Sequence, residues 1–210
     1  MTTKEPIRVA VLLSGGGRTL QNLAECIDRG ELHARISTVI AARPDVFGVV
    51  RAQRLGRPCQ VVERKRCRST QEFSALIWEQ VNRAGADLVC LAGFLYLLSI
   101  PEDFAQRVVN IHPALLPSFG GAGMFGHHVH EAVLAAGCKV SGCTVHFCDP
   151  SYDTGAIIVQ RTCPVLEDDT PETLAAHVFE QECLAYPEAV SLIAVGRIKL
   201  EGRRTRVLPG

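Results

Sequence analysis

The sequence predicts an α/β protein with a doubly wound, mostly parallel β-sheet and helices on both of its faces. The residues from Ile7 to Leu13 form a continuous apolar run, the pattern of a strand that is buried on both faces of a sheet. Three glycines at 15–17 end this strand, and apolar residues then recur at helical spacing up to Ile27. Strand-like and helical segments keep alternating through the first half of the chain, which favours a parallel sheet covered by helices.

The other elements are predicted from the same signals. Strands are expected at residues 36–41, 60–62, 88–92, 108–111, 142–147 and 157–162, and helices at 46–55, 70–84, 130–136 and 171–194. The segment Ser69-Thr70-Gln71-Glu72 has the form of a capping box before the third helix. Thr170 and Pro171 place an N-cap residue and a first-turn proline before the last helix. Because no repeat or linker divides the chain, we expect a single domain over residues 1–210.

Composition and charge exclude several classes of protein. Of the 210 residues, 47% are apolar and 21% are charged, as in an ordinary folded domain. Lys plus Arg and Asp plus Glu number 22 each, so the net charge offers no attraction to nucleic acid or to a membrane. No apolar run approaches the roughly 20 residues that span a bilayer, and Met1 to Pro6 lacks the apolar core of a signal peptide. We therefore expect a cytoplasmic protein with neither a nucleic-acid nor a membrane partner.

The nine cysteines predict free thiols rather than a metal site or a disulfide framework. They include no Cys-x-x-Cys pair, which argues against a zinc ribbon and against thioredoxin chemistry. An odd number of cysteines without a secretion signal is typical of a reducing compartment.

The segment Ser14–Thr19, called the glycine loop below, is predicted to bind an anion. It joins the first strand to the first helix, where free N–H groups and the helix dipole favour negative charge. Its three glycines let a phosphate approach the backbone closely. A dinucleotide site would need the pattern G-x-G-x-x-G, which fails at Leu20, and a Walker A loop would need Gly-Lys-Ser/Thr. A phosphate monoester is therefore the favoured ligand, and a plain tight turn is the structural alternative.

A second candidate site follows the predicted strand at 108–111. Asn110 and His112 stand at i and i+2 near the end of this strand, so their side chains point to the same side. Two prolines stiffen the loop after them, and Asp153 lies in a later loop that we expect near solvent. An amide donor, a titratable ring and a carboxylate can together carry out acyl transfer. A capping Asn and a structural His would give the same pattern.

The motif Asn110-Ile111-His112-Pro113-Ala114-Leu115-Leu116-Pro117, followed by Asp153-Thr154-Gly155, resembles the signature of the folate-dependent formyltransferases. Segments 9–17, 91–95, 141–147 and 180–187 resemble the same family in the same order. The resemblance implies a Rossmann-like fold and an enzyme that transfers the formyl group of 10-formyltetrahydrofolate, its co-substrate, to the amine of glycinamide ribonucleotide in purine biosynthesis. Asn110 would stabilise the formyl oxygen, His112 would shuttle the proton, and Asp153 would orient the imidazole and favour its cation.

The resemblance also implies binding residues. It places Gly16, Gly17, Arg18 and Thr19 at the phosphate of the nucleotide. It places Glu182 at the ribose hydroxyls, although a Glu on a long helix would otherwise be a solvent-exposed residue. The pterin of the folate is expected to contact Leu95, Tyr96, Leu97, Leu98, Asn110, Asp149, Pro150, Ser151, Tyr152 and Asp153. A family arginine that meets the folate tail stays unassigned here, since Arg68 and Thr70 both lie near its position.

The segment Phe119 to His130 is longer than the Pro-Gly turn of many relatives, which predicts a longer flap over the substrate. His127, His128 and His130 are too close in sequence to supply three ligands from one regular element, so we expect no metal.

Three alternatives remain open. They are an enzyme like formyltetrahydrofolate hydrolase, a formyltransferase acting on a different amine, and a non-catalytic module that binds a phosphate ligand. A formyltransferase acting on methionyl-tRNA normally adds a C-terminal nucleic-acid-binding domain, for which the residues after Val190 are expected to leave no room. The small-molecule substrates would be bound by a monomer or a homodimer.

Overall fold

The computed structural model describes residues 5–209, which contain nine strands, five α-helices and two short 3-10 helices at Arg64–Arg66 and Glu102–Phe104. The strands are β1 (Ile7–Leu13), β2 (Ala34–Ala41), β3 (Cys59–Val61), β4 (Leu88–Leu91), β5 (Val108–His112), β6 (Val140–Phe147), β7 (Ile157–Pro164), β8 (Ile198–Glu201) and β9 (Arg204–Val207). The helices are α1 (Arg18–Asp28), α2 (Phe47–Arg54), α3 (Thr70–Arg83), α4 (His127–Ala135) and α5 (Pro171–Ala194). Residues 1–4 of the predicted polar start lie outside the described part of the chain. In residues 5–209 no helix is long and apolar enough to cross a membrane.

Seven strands form one sheet in the order β3-β2-β1-β4-β5-β6-β7, and β8 pairs with β9 in a separate hairpin. Strand β1 is parallel to β2 and β4, and β2 is parallel to β3, whereas β6 and β7 are antiparallel. Successive residues of β4 and of β1 from Val9 to Leu13 are all buried. Because neighbouring side chains of a strand point to opposite faces, both faces of these strands are covered. The predicted α/β class with a mostly parallel sheet is confirmed.

The chain divides into two compact units between Val109 and Asn110, inside β5. In the first unit, β2 and β3 lie on one side of β1, and β4 lies on the other side. The chain order therefore reverses between β1 and β4. In α/β proteins, ligands bind at the carboxyl ends of strands where such a reversal occurs. The second unit contains β6, β7, α4, α5 and the C-terminal hairpin β8–β9. The single domain expected from the sequence stays a prediction.

Two predicted helix starts are confirmed by their caps. The Ser69 hydroxyl accepts a hydrogen bond from the Glu72 N–H at 3.0 Å. The Glu72 carboxylate accepts from the N–H of Arg68, one residue before the cap, at 2.7 Å, so only half of the expected capping box forms. Thr170 and Thr173 form a complete box, because each hydroxyl accepts from the other residue's N–H. These bonds satisfy N–H groups that have no acceptor within the helix.

The hairpin β8–β9 was not predicted. Apolar and charged residues alternate in Ile198–Glu201, and Gly202, with φ of 62°, lies in the turn between the strands. Both features are hairpin signals, although the strands are only four residues long. Helix α4 also differs from the prediction, since it begins at His127 rather than at His130. All three neighbouring histidines therefore lie on one helix.

Candidate active site

Asp153 lies at the centre of a cluster of polar groups in the second unit. Its Oδ2 is 3.5 Å from Nδ1 of His112 and accepts a hydrogen bond from the Gly121 N–H at 3.0 Å. Its Oδ1 accepts a long hydrogen bond from Nδ2 of Asn110 at 3.4 Å and lies 3.6 Å from Nε2 of His146. The side chain of Asp153 is only 9% exposed. The expectation that this loop lies near solvent is therefore wrong for the carboxylate.

Two strands and two loops supply this cluster, since Gly121 lies in the loop after β5. Asn110 and His112 are two residues apart in β5 and both reach Asp153, so their side chains point to the same side, as predicted. His146 comes from β6, and Asp153 from the loop between β6 and β7. His146 lies in the segment 141–147 that resembles the family, but no role was predicted for it. A titratable ring in a buried strand without charged residues was the available signal.

The hydrogen bond at Nε2 fixes the tautomer of His112. This nitrogen is 2.8 Å from the carbonyl oxygen of Phe119. A carbonyl oxygen can only accept, so Nε2 carries a hydrogen and donates it. In the neutral ring, Nδ1 is therefore the bare nitrogen, and it faces Asp153. His112 can then act as a base through Nδ1.

Burial decides the charge of His112. It lowers the pKa of the imidazole below the ordinary 6.5, and the opposing effects of the Asp153 carboxylate and the Phe119 carbonyl are smaller. Asp153 thus favours the cation, as expected, but desolvation outweighs it. The ring is neutral at pH 7.

Asp153 itself is ionised at neutral pH. Burial alone would raise the pKa of its carboxyl group, but the neighbouring imidazoles of His146 and His112 and the Gly121 N–H together lower it below its ordinary value. The site therefore pairs a neutral imidazole with a buried carboxylate.

The Asn110 amide is held between two acceptors. His146 Nδ1 is 2.8 Å from the carbonyl oxygen of Phe147, so this nitrogen donates and Nε2 is free to accept. The Asn110 Nδ2 atom lies 3.2 Å from that Nε2 and 3.4 Å from the Asp153 carboxylate. Both amide hydrogens thus point at acceptors, each at a distance longer than a typical hydrogen bond.

The loop after β5 is anchored by Thr144 and Gln160, two residues that the sequence analysis missed. The Thr144 hydroxyl accepts from the Leu116 N–H at 3.0 Å and donates to the carbonyl oxygen of Ala114 at 2.7 Å. The Gln160 amide donates to the Leu116 carbonyl and to the Thr144 hydroxyl, each at 3.0 Å. These bonds hold the chain that leads to Phe119, whose carbonyl orients the imidazole described above.

The Asp153 loop, defined as residues 149–155, is held largely by its own first residue. The Asp149 carboxylate accepts from the Ser151 N–H at 3.0 Å and from the Thr154 hydroxyl at 2.6 Å. Of the predicted folate contacts in this loop, Pro150, Ser151 and Tyr152 are exposed. Their surfaces, rather than the Asp149 side chain, are available to a ligand.

The glycine loop lies at the reversal of strand order in the first unit. Ser14 connects it to the segment after β4, because its N–H donates to the Gly93 carbonyl at 3.0 Å and its hydroxyl accepts from the Leu95 N–H at 3.1 Å. Gly17, with φ of 72°, precedes the first residue of α1. Gly15, Gly16 and Arg18 are exposed, whereas Gly17 and Thr19 are buried.

Two hydrogen bonds from helix α2 also hold the glycine loop. The Gly48 N–H donates to the Gly15 carbonyl at 3.1 Å, and the Arg51 side chain donates to the Gly16 carbonyl. The backbone of the loop is therefore fixed, which suits a preformed anion site.

The predicted folate segment at 95–98, together with Phe94 before it, is part core and part surface. Phe94 and Leu98 are buried, and the rings of Phe94 and Tyr96 pack on Phe73 with centroid distances of 6.1 and 5.6 Å. Leu95 is 44% exposed. Leu95 is thus the apolar side chain of this segment that a ligand can reach most readily, and Leu97 is half-buried.

Glu182 lies on α5 and is half-buried. Burial and, to a smaller extent, the charge of Glu182 raise the pKa of the Cys143 thiol in β6 to about 12. The Glu182 carboxylate is therefore close enough to β6 to act electrostatically on Cys143. A carboxylate on a fully solvated face of the helix would not do so. Its predicted contact with a ribose stays a prediction.

The three histidines of α4 do not form a metal site. His127 and His128 are exposed, and His130 is buried. Within residues 5–209 no group of three or more His, Cys, Asp or Glu side chains is arranged to hold a metal ion.

The structure thus brings Asn110, His112 and Asp153 into contact, all in the second unit, which also contains Asp149–Tyr152 and Glu182. The glycine loop and the segment at 95–98 belong to the first unit.

Comparisons with known proteins agree on one family. Residues 7–190 match the formyl transferase family. The trifunctional purine biosynthetic protein adenosine-3 of Drosophila melanogaster is 40% identical over 200 residues, which are 93% of this chain and 14% of that protein. The chloroplastic phosphoribosylglycinamide formyltransferase of Arabidopsis thaliana is 36% identical over 203 residues, which are 94% of this chain and 70% of the relative.

A solved structure gives the same result. Glycinamide ribonucleotide transformylase 1 from Symbiobacterium toebii is 40% identical, has a TM-score of 0.93, and is matched over 99% of this chain and 96% of its own. This chain therefore spans about one seventh of the Drosophila relative and nearly all of the Symbiobacterium structure. The chain belongs to the formyl transferase family.

Proposed function

We propose that this protein transfers the formyl group of 10-formyltetrahydrofolate to the amine of glycinamide ribonucleotide, a step of purine biosynthesis. The observation that carries the proposal is the cluster of Asn110, neutral His112 and ionised Asp153. The Arabidopsis and Symbiobacterium relatives are named for this activity. The folate, when bound, supplies the formyl carbon and the leaving nitrogen.

Asn110 acts on the oxygen of the formyl group. Attack by the amine of the nucleotide builds negative charge on this oxygen, and a fixed amide N–H stabilises such a charge. In the free protein the Asn110 amide hydrogens point at His146 and Asp153. The Nδ2 atom is 3.2 Å from Nε2 of His146 and 3.4 Å from Oδ1 of Asp153. A hydrogen bond to the developing oxyanion is stronger than either of these long contacts. One of the two amide hydrogens therefore turns to the oxyanion.

His112 moves the proton. The attacking amine must lose a proton and the leaving nitrogen must gain one, so a single base can accept it and then return it. Neutral His112 has its bare Nδ1 available for this, because the Phe119 carbonyl holds Nε2–H. The amine reaches Nδ1 directly or through a water held by Asp153.

Asp153 stabilises the cation that His112 becomes. Once Nδ1 has taken the proton, it can donate to Oδ2 of Asp153, which is already 3.5 Å away. The carboxylate also accepts from the Gly121 N–H, which keeps it in place. Asp153 therefore lowers the cost of the protonated ring during the reaction without protonating it beforehand.

The binding residues divide between the two substrates. Gly16, Gly17, Arg18 and Thr19 hold the phosphate of the nucleotide, mainly through backbone N–H groups at the start of α1, since the Thr19 side chain is buried. Glu182 accepts hydrogen bonds from the ribose hydroxyls. The folate contacts the segment Leu95–Leu98, Asn110 and the loop residues Asp149–Asp153. The reaction needs no metal, and the protein works in the cytoplasm as a monomer or a homodimer.

A formyl-transfer assay with a matched pair of variants tests the proposal. The wild-type protein should formylate glycinamide ribonucleotide at the expense of 10-formyltetrahydrofolate. His112→Asn should lower kcat by about 10²-fold or more, the usual effect of losing a positioned acid–base group. His128→Asn is the control, because this histidine is exposed on α4.

The same assay separates the alternatives. Release of formate at an equal rate without the nucleotide would indicate a hydrolase, and formylation of another amine would indicate a different acceptor. Binding of the nucleotide without any turnover would indicate a non-catalytic module.

A further inference from the structure

We propose that Arg203, in the turn of the C-terminal hairpin β8–β9, is a positioning residue for Asp153. It acts through the Asp153 loop, whose Thr154 carbonyl oxygen accepts a hydrogen bond from the Arg203 guanidinium at 2.7 Å. The proposal rests on the proposed function, since it concerns the carboxylate that faces His112. It assigns a role to a hairpin that the sequence analysis did not predict.

The argument begins with the backbone of Asp153. Its φ is 56°, in the left-handed region that residues other than glycine rarely adopt. A strained conformation of this kind persists only when the surrounding structure fixes it. The direction of the carboxylate depends on this conformation, so whatever fixes the backbone also fixes the distance to His112.

Two restraints come from within the loop and its flanking strand. The Asp149 carboxylate binds the Ser151 N–H and the Thr154 hydroxyl, which closes the loop on itself. Gly155 passes so close to the Phe147 carbonyl that a Cβ there would overlap the oxygen. These restraints determine the start and the end of the loop. Neither of them binds the carbonyl oxygen of Thr154, where a third restraint can act.

Arg203 provides that third restraint. The carbonyl that it holds belongs to Thr154, the residue directly after Asp153, so the bond fixes the peptide plane between Thr154 and Gly155, one residue beyond the strained backbone. A charged donor makes a stronger hydrogen bond than a neutral one. Nearby, the Thr205 hydroxyl donates to the Ile157 carbonyl at 2.5 Å, which attaches the same hairpin to the first residue of β7.

Arg203 is exposed, and so its side chain contributes little to the core of the unit. Its replacement should therefore move the loop without unfolding the protein. Arg206 offers a matched control, because it lies on the same hairpin and pairs with Glu201 within that hairpin at 2.7 Å. Replacing Arg206 removes the same charge and a similar volume while leaving the Thr154 carbonyl bonded.

The test compares Arg203→Met with Arg206→Met. Arg203→Met should lower kcat about three- to tenfold, the effect of losing one typical hydrogen bond at an exposed site, with the KM for the nucleotide unchanged. Arg206→Met should keep wild-type kinetics. Arg203→Lys should restore part of kcat, because an ammonium group can donate to the same carbonyl.

A second readout does not depend on turnover. The pKa of His112, followed by NMR titration, should fall in Arg203→Met, because a displaced carboxylate stabilises the imidazolium less. Arg206→Met should leave it unchanged. This measurement keeps the inference separate from the proposed function: if the wild-type protein transfers no formyl group, the titration still decides whether Arg203 positions Asp153.

Two results would overturn the inference. One is a folded Arg203→Met variant with wild-type kcat and an unchanged His112 titration. The other is an equal loss in both methionine variants, which would mean that the hairpin acts only through its general stability.

Discussion

At the level of single residues, the Asp153 carboxylate is shared by several partners. Asn110 and the Gly121 N–H donate to it, and Nδ1 of His112 faces it without a proton. The same carboxylate must therefore align the Asn110 amide in the resting protein and accept a hydrogen bond from protonated His112 during turnover. Burial keeps the ring neutral until a proton arrives, and the carboxylate then lowers the cost of the cation.

Replacing Asp153 by Asn should reduce both turnover and stability. The amide keeps the size of the side chain but not the charge that stabilises protonated His112, so kcat should fall about 10²-fold. The side chain is 9% exposed and accepts from Gly121, so the loss of charge should also lower the free energy of unfolding by about 1 kcal/mol. Steady-state kinetics and thermal melting measure the two effects.

A folded Asp153→Asn protein with near-wild-type turnover would contradict the role assigned to the carboxylate. Thr154→Ser is a suitable control, because it keeps the hydroxyl that bonds to Asp149. It should retain both turnover and melting temperature.

The pH dependence of kcat/KM should report His112 in the free enzyme. The neutral ring is the active base, so activity falls as the pH falls and the ring takes up a proton. Since burial lowers the pKa of His112, the midpoint of this acidic limb should lie below the ordinary value of 6.5. A profile between about pH 5 and pH 8 measures it. A midpoint above 6.5 would mean that the carboxylate outweighs burial.

At the level of elements, the glycine loop allows a test that separates binding from folding. A Cβ at Gly15 would meet nothing within 4 Å, whereas a Cβ at Gly17 would lie 3.0 Å from the Cα of Gly48 in a backbone with φ of 72°. Gly15→Val therefore adds bulk to open space beside Gly16, the first of the proposed phosphate-binding residues. It should raise the KM for the nucleotide about tenfold, roughly 1.4 kcal/mol of binding free energy, and leave the melting temperature unchanged.

Gly17→Ala is the informative contrast, because it should destabilise the protein by about 1 kcal/mol through backbone strain and the close contact with Gly48. The KM for the folate should be normal in Gly15→Val. If this variant bound the nucleotide with unchanged affinity, the glycine loop would not be the phosphate site.

The elements that the sequence predicted best are those with a strong local signal. Buried strands such as Leu88–Leu91 are continuous apolar runs, and the caps Ser69 and Thr170 are recognisable from a few residues. The hairpin β8–β9 was missed because each strand has only four residues, half of them charged. An alternation over only four residues is too short to distinguish a strand from a loop.

The candidate site was predictable only in part, for a related reason. Asn110 and His112 are two residues apart on one strand, so their common direction follows from strand geometry. The bonds of Gln160 to Leu116 and of His146 to Asn110 join residues 44 and 36 positions apart. They depend on which strands are neighbours in the sheet, and the sequence of one chain does not reveal that.

At the level of the whole molecule, surface ion pairs contribute less than buried histidines to the response to pH. Arg8 holds the pKa of Asp87 at about 2, but both side chains are more than a third exposed, so solvent screens the pair. Any stability from this pair is present above the ordinary pKa of an aspartate and is lost only as the pH falls towards 2. Near neutrality, His112 and His130 should dominate instead.

Burial lowers the pKa of both histidines, and the nearby His127 and His112 lower that of His130 further. Among the described residues, no hydrogen-bond partner is placed at the buried Nδ1 of His130. When a folded pKa lies below the unfolded value, the unfolded chain binds the proton more readily. The contribution of these two histidines to the free energy of unfolding is therefore complete above the ordinary histidine pKa of 6.5. It decreases as the pH falls below that value.

The melting temperature should accordingly be lower at about pH 5.5 than at about pH 7.5, a window above the range in which carboxylates titrate. His130→Gln removes one of the two buried imidazoles, so the difference between the two melting temperatures should become smaller, whatever the absolute stability of the variant. His128→Gln replaces an exposed histidine of the same helix and should leave the difference unchanged. If His130→Gln and the wild-type protein lose equal stability on acidification, proton uptake by His130 does not contribute to unfolding.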